Sequence, residues 1–198
     1  MNLATTAIQL TLRHIGAIIL VLTMAAVGFL LLASPDGIAA GNPLAPAGNA
    51  QISAQDRQFL ISAAQADNAE IEAGRAAHAN ADSDAVKNFS AQMLDFYTKL
   101  AERLKQLASA KDVQLPDQPS RQQLTAIEKI SGLGAKNYDK AYVAVAGVAE
   151  HKDAVALFSK ASRVASDRDV RSFAAETLPV LKHHLAMAQD LQLKVGMP

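Results

Sequence analysis

The chain has 198 residues, half of them hydrophobic, with 5% aromatics and neither Trp nor Cys. Lys+Arg and Asp+Glu balance at 19 each, so no basic excess points to nucleic acid and no acidic excess to a cationic partner. The lack of Cys excludes disulfides, thiol catalysis, Cys-ligated zinc, iron–sulfur clusters and a lipoprotein cysteine.

The first 40 residues read as a targeting segment. Arg13 and His14 precede an uncharged apolar run, Ile15 to Ala33. Ser34-Pro35-Asp36-Gly37 then breaks the helix, and Ile38-Ala39-Ala40 offers a small residue at a cleavage point. Two readings stand. One is a cleaved signal peptide. The other is a retained anchor, because the run approaches the roughly 20 residues that span a bilayer. Both put the Arg-flanked end in the cytoplasm and the rest outside. The expected address is the periplasm, either free or held to the inner membrane through residues 15–33. Residues 41–52, with two Pro, two Gly and two Asn, read as a linker.

From Ser53 onward the pattern is helical, and it defines one domain over 53–195. Ser53-Ala54-Gln55-Asp56 resembles a capping box with Asp in the final place. The first helix is expected over about 54–80. Asp82-Ser83-Asp84 caps a second, ending near Lys111. Leu115-Pro116-Asp117-Gln118-Pro119 stops helical structure. A short helix follows from Ser120 to Ile130, closed by Ser131-Gly132-Leu133-Gly134. A third long helix is expected over about 137–165, and Ser166-Asp167 caps a fourth that runs to about Lys194, with Pro179 kinking it.

Two of these helices carry matching apolar stripes. Val86, Phe89, Ala91, Leu94 and Leu107 correspond to Val170, Phe173, Ala175, Leu178 and Leu191 at a constant offset. Two helical hairpins joined by a long crossover is the topology of a ferritin-like four-helix bundle, so the fold class is all-α. A shared amphipathic pattern accounts for the correspondence as well as duplication does.

Four ionisable residues sit on these stripes. On the first helix Asp67 shares a face with Leu60, Ala63, Ile71, Gly74 and His78, and Glu70 lies on its shoulder. His151 falls on the apolar face of the third long helix, and His184 on that of the fourth. Counted from the nearest turns at 1.5 Å per residue, Asp67, Tyr97, His151 and His184 all lie about 20–27 Å along their helices. They are expected to share a mid-bundle layer. Glu70, His151 and His184, supported by Asp67, then offer donors for one transition metal (Zn, Fe, Mn or Cu). The other reading, which the pattern favours, is a buried hydrogen-bonded network. A ferritin-type pair of metal ions is not expected, because the chain has no Glu-x-x-His and the second helix offers only Phe96 and Tyr97 at that level. No nucleophile elbow, phosphate loop or His-Glu-x-x-His is present. No catalytic residue or organic cofactor is assigned.

The segment Phe59-Leu60…Glu70-Ile71-Glu72-Ala73-Gly74-Arg75-Ala76-Ala77 resembles the first-helix signature of an exported bacterial family, domain of unknown function 4142. Val86-Lys87-Asn88-Phe89…Met93, Val113-Gln114-Leu115-Pro116, Tyr138-Asp139-Lys140-Ala141-Tyr142, His151…Leu157-Phe158 and Phe173-Ala174…Leu178-Pro179…His184 extend the likeness to about residues 53–193. The resemblance implies export and a ferritin-like bundle but brings no activity. The family often carries Asp-His where this chain has Asp95-Phe96, which removes one candidate ligand. The expected role is a non-enzymatic envelope protein that binds a partner or small ligand, or is stress-related. A metal-binding or redox protein and a membrane-tethered assembly module are the alternatives.

Overall fold

The computed structural model describes residues 52–196; the targeting segment and nearly all of the linker lie outside the described residues. Helices α1 (Ala54–Asn80) and α2 (Asp84–Ser109) form the first hairpin. The crossover carries α3 (Arg121–Ser131). Then α4 (Ala135–Tyr142), a π-helical segment (Val143–Glu150) and α5 (His151–Val164) follow one another without a break, and α6 (Arg168–Gly196) completes the second hairpin. The result is an all-α, ferritin-like four-helix bundle, with α3 packed against α1 and α4.

The helix starts follow their local chemistry. Ser53 accepts from the Asp56 amide at 3.0 Å and Ser83 from the Val86 amide at 3.2 Å. Ser120 and Gln123 form a reciprocal capping box. Asp167 accepts from the amides of Asp169 and Val170. Each side chain satisfies amides that have no partner within the helix.

The box expected at Ser53 is only half formed, because the Asp56 carboxylate turns away from its own helix. It accepts from the backbone amides of Ser166 and Asp167, at the tip of the other hairpin. Asp139 on α4 does the reverse and accepts from Asp82 and Ser83 at the tip of the first hairpin. Each hairpin therefore uses a buried aspartate near the start of its opening helix to hold the turn of the other. The spacing differs by one residue: 82 − 56 = 26 in the first hairpin and 166 − 139 = 27 in the second. One extra residue is what a π-type widening of a helix absorbs, and the π segment lies inside that second interval. The single long helix expected over 137–165 is thus interrupted, and its start moves back to Ala135.

The core runs the length of the bundle. Val86 and Val170, equivalent in the two stripes, are both fully buried. Phe158 meets Phe59 edge-on and Phe173 at a tilt, with centroids 5.1 and 5.9 Å apart. Small residues bring helices close. A Cβ on Gly74 would stand 3.2 Å from Leu94 Cβ. Helix α6 continues through Pro179, whose missing amide leaves the Ala175 carbonyl without its usual donor.

Candidate functional site

At mid-bundle the hydrophobic core gives way to a polar layer. Asp67 and Glu70 come from α1, Tyr97 from α2, Tyr142 from the end of α4, His151 from the start of α5 and His184 from α6. Asp67, Glu70 and His151 are 1%, 3% and 0% exposed, and His184 is 8%. All four residues singled out on apolar stripes are buried, whereas His78 is exposed.

His151 is the hub. Its Nδ1 lies 3.0 Å from the Ala146 carbonyl, which can only accept, so Nδ1 carries the proton. Burial holds the imidazole below its ordinary pKa, against the pull of the Ala146 and Gly147 carbonyls, so the ring is neutral. Its bare Nε2 then accepts from the Tyr97 hydroxyl at 3.2 Å. The first bond reaches back into the π segment, where Ala146 lies five residues before His151.

The carboxylates are less well served. Glu70 Oε1 lies 3.5 Å from His151 Nδ1, close enough for an ion pair but without a hydrogen bond. Neither Glu70 oxygen finds a hydrogen-bond partner among the described residues, nor do Asp67 Oδ2, the Tyr142 hydroxyl and His184 Nδ1. Burial pushes Glu70 well above the usual carboxylate range, and the charges acting on it, Glu150 and Asp67, push the same way. Burial raises Asp67 too. The Tyr97 and Tyr142 hydroxyls are also driven up, first by burial and then by Glu70. Burial, followed by His151 and His183, lowers His184 to about 4. Burial therefore favours the uncharged form of each titratable group in the layer. Its acceptors would gain from any cation or N–H donor placed among them.

His184 completes the layer without touching the carboxylates. Its ring lies 5.9 Å from that of His151 and stands edge-on to Phe96 at 4.5 Å. A ferritin-type pair of metal ions does not fit here, since α2 contributes Phe96 and Tyr97 and no carboxylate. Among the described residues, no three His, Asp or Glu side chains are arranged around a point that would hold a metal ion. Glu70 and His151 form a two-donor edge, and His151 Nδ1 already serves Ala146.

A narrow cleft leads to this layer from beneath α3. Glu70 and Tyr142 line its inner end, apolar residues such as Ala73, Ile127 and Val145 its walls, and Gln123 and Glu150 its rim. Gln123 Nε2 donates to Glu150 Oε2 at 3.1 Å across it. Tyr142 is held by stacking on Tyr138, centroids 6.0 Å apart and rings 9° from parallel. Sequence reasoning placed Tyr97 in the layer but missed Tyr142, Glu150 and Gln123. The i, i+4 pair of tyrosines and the Glu150-His151 dipeptide were the available signals.

Comparison with known proteins agrees with the fold and adds no activity. No curated protein matches the chain. Among solved structures, the crystal structure of a DUF305 fragment from Deinococcus radiodurans is similar, with a TM-score of 0.64 at 9% identity over 72% of this chain and 98% of that one. Such a likeness speaks for the helical architecture alone. The family described as "Domain of unknown function (DUF4142)" matches residues 41–191, most of the chain and all of the bundle but the last turn of α6, and the chain belongs to that family.

Proposed function

We propose that this chain is an exported envelope protein that acts by binding rather than catalysis, and that its site is the polar layer around Asp67, Glu70, His151 and His184. One observation carries the reading: Glu70 is 3% exposed and neither of its carboxyl oxygens has a hydrogen-bond partner among the described residues. A buried polar group without a partner costs about 1–3 kcal/mol. A fold that keeps such a group where a Leu would pack uses it for something that arrives from outside. Catalysis is disfavoured because the central base, His151, has both ring nitrogens engaged. Export is supported by Arg13, His14 and the uncharged run from Ile15 to Ala33. Balanced charge argues against a nucleic-acid partner.

Among the described residues, no helix is long and apolar enough to cross a membrane, so any tether would be the segment 15–33. N-terminal sequencing of the mature protein separates export with cleavage, which gives a start near Gly41, from retention as an anchored module.

The test of the site needs no knowledge of the ligand. Glu70→Leu should raise the unfolding free energy of dialysed protein by about 1–3 kcal/mol, since it removes an unpaired buried carboxyl. A loss of stability would make Glu70 a structural group and overturn the reading.

A second reading has one observation in its favour. The 3.5 Å separation of Glu70 Oε1 and His151 Nδ1 is close to the edge of a tetrahedral shell with metal–ligand bonds of about 2.0–2.2 Å. Asp67 or His184 would have to turn to complete a shell for Zn, Fe, Mn or Cu. Metal analysis of protein purified without affinity metals decides it: one equivalent, lost in Glu70→Gln, supports the metal seat, and a trace amount removes it.

A further inference from the structure

We propose that the cleft between α1, α3 and the π segment is a binding site for a small primary alkylammonium ligand, with its NH3+ group on Glu70 and the Tyr142 hydroxyl and its alkyl part along the alanine-rich walls. This rests on the reading of Glu70 as a binding group and names the class of ligand.

The residues that line the cleft include Glu70 and Tyr142 and no Lys, Arg or His. Both Glu70 oxygens and the Tyr142 oxygen lie buried behind its apolar surface and lack partners among the described residues. An ammonium group brings three N–H donors and a positive charge to this place. A quaternary ammonium brings charge but no donor and would leave the acceptors unpaired. The imidazoles of His151 and His184 do not line the cleft, so a metal entering it would meet the Glu150 carboxylate at the rim and, deeper, only Glu70 and a phenol.

Size and wall chemistry restrict the ligand further. The cleft leaves about 20 Å³ for the centres of water-sized groups, room for one or two of them. That suits an ammonium head and a methylene or two. Ala69, Ala73, Ala126 and Ala146 leave the space, and Ile127 and Ile130 make the wall on the α3 side apolar. The half-buried rim residues Gln123 and Glu150 are joined by one hydrogen bond, the contact that must open for a longer chain to pass. Stacking of Tyr142 on Tyr138 fixes the phenol in advance, so little order is lost on binding.

The test is thermal unfolding of the full domain with n-butylammonium, n-butanol, tetramethylammonium or sodium as chloride salts at equal ionic strength. The expected result is a concentration-dependent rise in Tm with n-butylammonium alone, by the linkage of binding to folding. Glu70→Gln should lose nine-tenths or more of that rise. Ala126→Leu keeps Glu70 intact and plugs the cleft from α3, so it should lose the rise while unfolding as cooperatively as the wild type. Equal shifts with tetramethylammonium or sodium would overturn the proposal, as would an unchanged shift in either variant or no shift at all. Stabilisation by Glu70→Leu together with no response to n-butylammonium rejects the amine and leaves Glu70 a binding group. Destabilisation by Glu70→Leu rejects both.

Discussion

Glu70 Oε1 stands 3.5 Å from His151 Nδ1, yet the Nδ1 proton is given to the Ala146 carbonyl at 3.0 Å. Two groups that would pair in water are thus held side by side without pairing. Burial above all, and then the neighbouring Glu150 and Asp67 carboxyls, favour the neutral form of Glu70. The imidazole is neutral because burial lowers it. Neither shift reflects an ion pair, which would lower Glu70 and raise His151.

The pH dependence of stability follows with a definite sign. Glu70 titrates higher in the folded chain than in the unfolded one, where it is expected near 4.3. Below that value both states hold the proton and Glu70 contributes no slope. Above it only the folded state does, so stability falls as pH rises until the folded group ionises, by up to about 1.4 kcal/mol per pH unit. Urea unfolding of wild type and Glu70→Gln from pH 5 upward should show the wild type losing stability relative to the variant as pH rises. Parallel curves would mean that Glu70 is already ionised in the fold.

His184 acts in the opposite sense. Its folded value of about 4 lies below the unfolded value near 6.5. The stability this gives is complete above the unfolded value and is lost as pH falls from there toward the folded one. His184→Phe, placed edge-on to Phe96 as the imidazole is, should flatten the acid side of the stability profile between pH 6.5 and pH 4. The same curve in both proteins would assign the acid sensitivity to other groups.

Tyr97 supports His151 from the far side. Tyr97→Phe removes the hydroxyl that occupies Nε2 and leaves a fully buried ring nitrogen without a partner. The expected loss is about 1–3 kcal/mol, the cost of an unsatisfied buried acceptor. The imidazole 15N shifts should report the Nδ1–H form in the wild type. A variant that unfolds as the wild type does, or an Nε2–H form in the wild type, would reverse the donor assignment.

Much of this was legible in the sequence because it depends on patterns of fixed period. The apolar stripes placed α1, α2 and α6 within a few residues, and Ser53, Ser83 and Ser120 mark starts that their own side chains cap. The burial of Asp67, Glu70, His151 and His184 follows from the same periodicity. What was not legible depends on contacts distant in the chain or on a local change of period. The π segment is a run of small and β-branched residues with one Gly, Val143 to Glu150, which differs little from an α-helical run. Asp56 sits where a capping box would put it and instead serves a turn 110 residues away. Tyr142 reads as core, and only its position beside Glu70 on the cleft makes its hydroxyl matter.

The two cross-hairpin aspartates provide the final prediction. Asp139→Ala strips acceptors from the amides of Asp82 and Ser83, and Asp56→Ala from those of Ser166 and Asp167. Each change should cost about 1–3 kcal/mol, since charge-assisted bonds to partly buried amides are lost. The two sites lie near opposite ends of α1, which at 1.5 Å per residue is about 40 Å long. Sites so far apart share no partners, so the double variant should lose the sum of the single losses to within about 0.5 kcal/mol. A larger loss would mean that each hairpin depends on being held by the other, and that the bundle's two halves are stable only together. A smaller loss would show that one missing tie already frees both turns. Equilibrium urea unfolding of the four proteins distinguishes the three outcomes, because all four should expose the same surface and unfold with the same m-value.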